Sequence, residues 1–101
     1  MAAVVPMVVG FFWYKEDQYD RFKALCADGA KLPDTYADFR QKAEMGMQVL
    51  QRKGRKPVKV EADIEVFLAW CRANGHKVDA AGRMAFTNAM LIERVKAGQV
   101  G

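Results

Sequence analysis

The sequence predicts a single α+β domain of order β-α-α-β-α-α, with four helices and a small sheet made from two strands per chain. The first observation is the stretch from Pro57 to Gly75. There Val58, Val60 and Ala62 alternate with Lys59 and Glu61, the period of a strand with one wet face. The second is the immediate switch to helical spacing, with Ile64, Phe67, Leu68 and Cys71 at i, i+3, i+4 and i+7. The third is a repeat of this order around a second strand near the N-terminus.

That first strand is expected over Val4 to Tyr14, rich in Val, Phe, Trp and Tyr. Pro6 cannot donate to a ladder, so pairing is expected to begin after it or to leave it on an edge. Val8, Val9, Phe11, Phe12, Trp13 and Tyr14 make the run apolar on both faces, which calls for cover on both. Gly10 within it marks a bulge or a close backbone approach. The first helix is expected from about Glu16 to Ala27, with Tyr19, Phe22, Leu25 and Cys26 inward and Asp28-Gly29 at its end.

The second helix opens at Leu32-Pro33-Asp34-Thr35, where Thr35 with Asp38 resembles a capping box and Asp34 is the alternative cap. Its inner row is Tyr36, Phe39, Ala43, Met47 and Leu50, widened by Met45, Gly46 and Val49, and Gly54 ends it after Lys53. Gly46 inside a helix costs about 1 kcal/mol against Ala, which suggests a close crossing there. Asp63 is the expected N-cap of the third helix, and Asn74-Gly75 its left-handed stop. Asp79 caps the last helix, expected to run to about Lys96. Its inner face is expected to be Ala81, Met84, Ala85, Asn88, Leu91, Ile92 and Val95, with Phe86, Ala89 and Met90 off that stripe. The tail from Gly98 is expected to fray.

Two strands make a thin sheet. If helices cover one face only, the run from Val8 to Tyr14 needs a lid, and a second copy of the protein is the simplest one. A homodimer using Val8, Val9, Phe11, Phe12, Trp13 and Tyr14 is therefore expected.

At 101 residues the chain can bury roughly two thirds of its unfolded surface, and 51% hydrophobic with 28% charged residues is a globular composition. The uncharged first fourteen residues fall short of the ~20 needed for a membrane span, and no basic segment precedes them as in a signal peptide. Cys26 and Cys71 lie on apolar stripes, which favours buried thiols in a reducing cytosol over a disulfide framework. A cytoplasmic protein without a membrane partner is expected.

The formal charge of +4 is concentrated in one place: Arg52, Lys53, Arg55, Lys56 and Lys59 are five cations within eight residues that hold no acid. Such a cluster suits a phosphate backbone or another polyanion. Arg52 and Lys53 are equally at home beside a helix C-terminus, and no aromatic side chain interleaves the cluster.

No catalytic constellation stands out. Cys71 and His76 are five residues apart, but Cys71 is on an inward stripe and His76 lies beyond Gly75. One histidine and two separated cysteines cannot complete a zinc site, and Glu61, Asp63 and Glu65 read as a cap with two solvated carboxylates. The pairs Asp17/Asp20 and Asp34/Asp38 read as helix-start acids. Nucleotide and hydrolase signatures are missing, so no cofactor or catalytic residue is assigned.

The phrases GFFWYKEDQYDRF, LPDTYADF, VKVEADIEVFLAWCRANG and VDAAGRMAF together resemble a family of small uncharacterised bacterial proteins, over about residues 9 to 92. The resemblance implies a compact bacterial domain with the element order above, and implies no activity, ligand or site residue. Three function classes follow: a non-enzymatic module that self-associates or binds another protein; a nucleic-acid-binding accessory protein using the cluster 52–59; and an enzyme with a cleft near Trp13, Tyr14 and His76.

Overall fold

A computed structural model describes residues 8–98. The elements are β1 (Val8–Tyr14), α1 (Tyr19–Leu25), α2 (Tyr36–Arg52), β2 (Lys56–Ala62), α3 (Ile64–Asn74) and α4 (Ala80–Lys96), with short 3-10 turns at Glu16–Gln18 and Gly29–Lys31. This is the expected α+β order. The expected strand start at Val4, Pro6 and the last tail residues lie outside the described residues.

The two strands pair in parallel, with Val8 opposite Lys56 and Tyr14 opposite Ala62. Strand alternation sends Phe12 and its partner Val60 to one face, and Phe11, Trp13 and Lys59 to the other. Against the first face pack α1, α3 and α4. Phe12 meets Phe22, Phe67 and Phe86 edge-on at centroid separations of 5.7, 5.1 and 5.9 Å. Offset and edge-on ring pairs suit the quadrupoles better than face-to-face sandwiches do. Tyr19, Phe22, Val60, Ile64, Phe67 and Cys71 are fully buried there.

Helix α2 covers the second face. Trp13 packs edge-on against Phe39 at 5.0 Å and donates its Nε1–H to the Tyr36 hydroxyl at 3.2 Å. The Lys59 ammonium sits 4.3 Å over the Trp13 ring, a cation–π contact. The expected cover on both faces of β1 thus comes from within the chain, with α2 as the second layer, and Trp13 is 4% exposed without a second copy. Residues Tyr36, Phe39, Ala43, Met47 and Leu50 form the inner row as expected, each half-buried. Met45 (59% exposed) and Val49 (43%) do not widen it, because a two-stranded sheet is too narrow to reach them.

The caps follow the sequence. Thr35 Oγ1 accepts from the Asp38 amide, Asp63 from the Glu65 and Val66 amides, and Asp79 from the Gly82 amide. Gly75 ends α3 at φ 70°, a left-handed position. The first helix is shorter than expected. Cys26 turns to extended geometry after Leu25, which directs its thiol into the core and lets the Ala27 amide donate to the Val78 carbonyl at 2.8 Å.

The largest departure is the rotation of α4. Its buried residues are Gly82, Arg83, Phe86 and Thr87, with Met90 packed against the core. The expected inner residues Met84, Ile92 and Val95 are 67%, 53% and 44% exposed. Periodicity counts Arg83 and Thr87 as polar, but both are satisfied inside. Arg83 Nη1 and Nη2 donate to the Asp28 carboxylate at 2.9 and 2.7 Å in a bidentate fork, and Thr87 Oγ1 donates to the Arg83 carbonyl at 2.8 Å. The Arg83 hydrogen bonds hold the Asp28 carboxyl below its ordinary value of 3.8. Burial opposes the charge of Arg83, and the Asp28 bonds more than offset it, so the guanidinium stays firmly protonated.

Gly10 makes the close approach the sequence anticipated, without a bulge: a Cβ there would lie 2.8 Å from Thr87 Cγ2 and 3.3 Å from Leu91 Cδ2. At Gly46 a Cβ would meet only the Phe11 ring, at 3.7 Å, an ordinary contact. The expected close crossing at Gly46 therefore imposes no steric need for glycine.

These contacts set two outcomes. Urea unfolding should show Gly10→Ala destabilised by about 1–3 kcal/mol through overpacking, and Gly46→Ala stabilised by about 0.5–1 kcal/mol through helix propensity. Asp28 titrates lower in the folded chain than in the unfolded one, so its contribution is present above the ordinary carboxylate value and is lost as pH falls through the depressed one. Asp28→Asn should cost about 3 kcal/mol at neutral pH, by stranding a buried guanidinium, and should flatten the acid limb of stability against pH.

Candidate interaction surface

The basic cluster lies where α2 ends and β2 begins. Arg52 closes the last turn of α2, Lys53 is its C-cap, and Arg55 and Lys56 carry the chain into the strand, all exposed. Lys59 stands apart from these four, on the sheet face with its ammonium over Trp13. The cluster is thus a four-residue cationic turn plus one lysine engaged in packing. The α2 C-terminus accounts for part of it, since cations are favoured there.

The apolar run of β1 divides. Trp13 and Tyr14 are buried and Phe12 packs into the core, so these three are withdrawn from the partner surface expected of them. Tyr14 is enclosed by Tyr19, Phe22 and Phe39 at 5.2, 5.0 and 4.7 Å, and burial raises its phenol pKa. Val8, Val9 and Phe11 remain half-exposed.

The residues named for catalysis do not converge. His76 stacks on Trp70 at 5.1 Å, in the layer opposite the Trp13–Phe39 pair. Cys71 is buried, with its thiol aimed at the Lys77 carbonyl, and burial raises the pKa of both Cys71 and Cys26. Both thiols are free. Asp63 is held by its cap amides, by Gln18 Nε2 at 2.9 Å and by Lys15 at 3.7 Å, while Glu65 pairs with Arg21 at 2.9 Å. The Gln18 hydrogen bond, with the cap amides, lowers the Asp63 pKa. Among the described residues no group of three or more His, Cys, Asp or Glu side chains is placed to hold a metal.

A groove of about 550 Å³ runs between α3 and α4 at the C-terminal end of β2, floored by Val60, Phe86 and Met90. Its cations already have partners. Lys15 pairs with Asp63, and Arg94 Nη1 donates to the Lys59 carbonyl at 2.9 Å. The Glu61 and Glu93 carboxylates also line the groove.

The turned α4 leaves a different surface on the outside. Ala81, Met84, Asn88, Leu91 and Val95 alternate at spacings of three and four, flanked by Ala85 and Ile92. Met84, Ile92 and Val95 are the exposed large residues of this row, Ala81 and Asn88 are exposed, and Ala85 and Leu91 are half-buried. The seven residues carry no charge; the charges of α4 are at Arg83, Glu93, Arg94 and Lys96. The stripe was visible in the sequence, but Met84, Ile92 and Val95 point outward rather than inward, while Leu91 keeps its expected inward side, toward Gly10 of β1.

The chain matches no family model, and comparison with curated proteins and with solved structures finds no match. No helix among the described residues is long and apolar enough to cross a membrane.

Proposed function

We propose that this chain is a small non-enzymatic interaction module, a bacterial cytoplasmic protein of the kind its sequence phrases resemble, and that it presents the outer row of α4 to another protein. The observation that carries the reading is the uncharged row from Ala81 to Val95, left outside while an arginine is buried on the opposite side of the same helix. Large apolar side chains grouped on one exposed helix face mark a surface made to be covered. Two free buried thiols suit a reducing compartment.

A second reading, contact with nucleic acid or another polyanion, is favoured by the exposed turn Arg52, Lys53, Arg55 and Lys56, which has no acid in the sequence between Gln51 and Val60. It calls for fluorescence anisotropy with labelled short DNA and RNA. Binding should fall with salt at a log–log slope of about −0.9 per phosphate engaged on duplex DNA, and should vanish when these four residues are changed to Gln. No binding at low salt removes this reading.

For the leading reading, a photo-crosslinking side chain placed at Met84 or at Ile92 in the living cell should yield a protein adduct. The same group at Ala37, on the exposed side of α2, should yield none. Absence of any adduct at Met84 and Ile92 would contradict it.

A further inference from the structure

We propose that the partner of this face is a second copy of the chain, with α4 packing antiparallel against α4 across a two-fold axis at Asn88. The inference rests on the interaction reading above and names its partner.

The spacing 81, 84, 88, 91, 95 is a two-heptad seam. A seam repeating every 3.5 residues suits a second helix lying alongside, which meets it by knobs-into-holes packing. The inner residues Arg83, Phe86, Thr87 and Met90 lie on the opposite side of α4, while Leu91, half-buried, sits at the edge of the seam with its Cδ2 toward Gly10 of β1.

The seam together with its flanks Ala85 and Ile92 is complementary to itself about Asn88. Ala81 and Val95 stand seven residues to either side of Asn88, and Met84 and Ile92 stand four to either side. An antiparallel two-fold axis at Asn88 therefore sets Met84 against Ile92 and Ala81 against Val95, a small residue facing a larger one at each end. It sets Asn88 against its own copy, and a carboxamide both donates and accepts, so the two side chains satisfy each other. One polar residue at the centre of an apolar seam fixes register, because any slip would bury it unpaired. A closed two-fold contact needs one self-complementary patch.

Charge selects the orientation. Asp79 stands at the N-terminal end of α4, and Lys96 at its C-terminal end. Antiparallel packing opposes the helix dipoles and keeps the two Lys96 side chains apart, whereas parallel packing would bring Lys96 against Lys96. Area sets the strength. With only Met84, Ile92 and Val95 as large exposed apolar side chains, at 67%, 53% and 44% exposure, the seam and its flanks offer far fewer residues than the ~20–30 a side of a standard stable interface. The dimer is therefore reversible.

Sedimentation equilibrium from about 1 μM to about 1 mM protein should show a reversible monomer–dimer equilibrium. Met84→Glu with Ile92→Glu should weaken it by about tenfold or more. Both side chains are exposed, so the thermal melt of the dilute double variant should match that of the wild type. Met45→Glu, exposed on α2, should leave the equilibrium unchanged. Under mild oxidation, Ala81→Cys mixed with Val95→Cys should give a disulfide dimer, and neither variant alone should. A chain monomeric throughout, a dimer indifferent to the double substitution, or Ala81→Cys linking to itself would each overturn the inference. Photo-adducts at Met84 with a different protein, from a chain monomeric throughout, would overturn it while leaving the interaction reading in place.

Discussion

The bidentate pair between Arg83 and Asp28 sets how α4 meets the rest of the chain. A guanidinium 8% exposed is tolerable only with a carboxylate held in its plane, and Asp28 is held there by the turn that follows α1. The pair ties the C-terminal helix to the N-terminal half of the chain. It also fixes which side of α4 faces inward, so that Thr87 and Leu91 come down onto Gly10 of β1 and Phe86 reaches the core rings. Without it, the apolar seam from Ala81 to Val95 would be the better inner face by hydrophobicity alone. An ion pair thereby decides which apolar surface becomes core and which is displayed.

The sheet depends on the same economy of parts. Two parallel strands are few for a domain of this size, and both of their faces are covered from within the chain. Phe12 and Val60 face the three-helix layer, while Phe11, Trp13 and Lys59 face α2. The α2 layer is the lighter one: none of its residues is fully buried, and its hold comes from the Trp13, Tyr36 and Phe39 rings near its start. The cationic turn follows at the other end of α2.

Most of the fold was legible in the sequence because its signals are local. Strand alternation, the Thr35, Asp63 and Asp79 caps and the Gly75 stop each involve residues within four positions of one another. The rotation of α4 was not legible, because Arg83 becomes an acceptable inner residue only through Asp28, fifty-five positions away. No period within one helix carries that information. The cover of β1 by α2 was missed for a related reason: Trp13 to Tyr36 and Phe39 is a tertiary meeting, and the run from Val8 to Tyr14 reads equally well as a strand awaiting a partner chain. Of the candidate site, the cationic turn was found where the sequence put it, with Lys59 drawn into packing. The α4 row was recognised as an apolar stripe, and Met84, Ile92 and Val95 within it were assigned the wrong direction.

The orientation of α4 is the claim on which both the core and the proposed interface stand, and thiol labelling tests it most directly. Single cysteines introduced at Met84 and at Met90 would be compared in dilute solution, with the buried native thiols as internal reference. The account predicts that Met84→Cys reacts at nearly the rate of an unfolded thiol and that Met90→Cys is strongly protected. Protection at Met84 with rapid reaction at Met90 would mean that α4 lies the other way round, and would contradict both the Arg83–Asp28 anchor and the displayed seam.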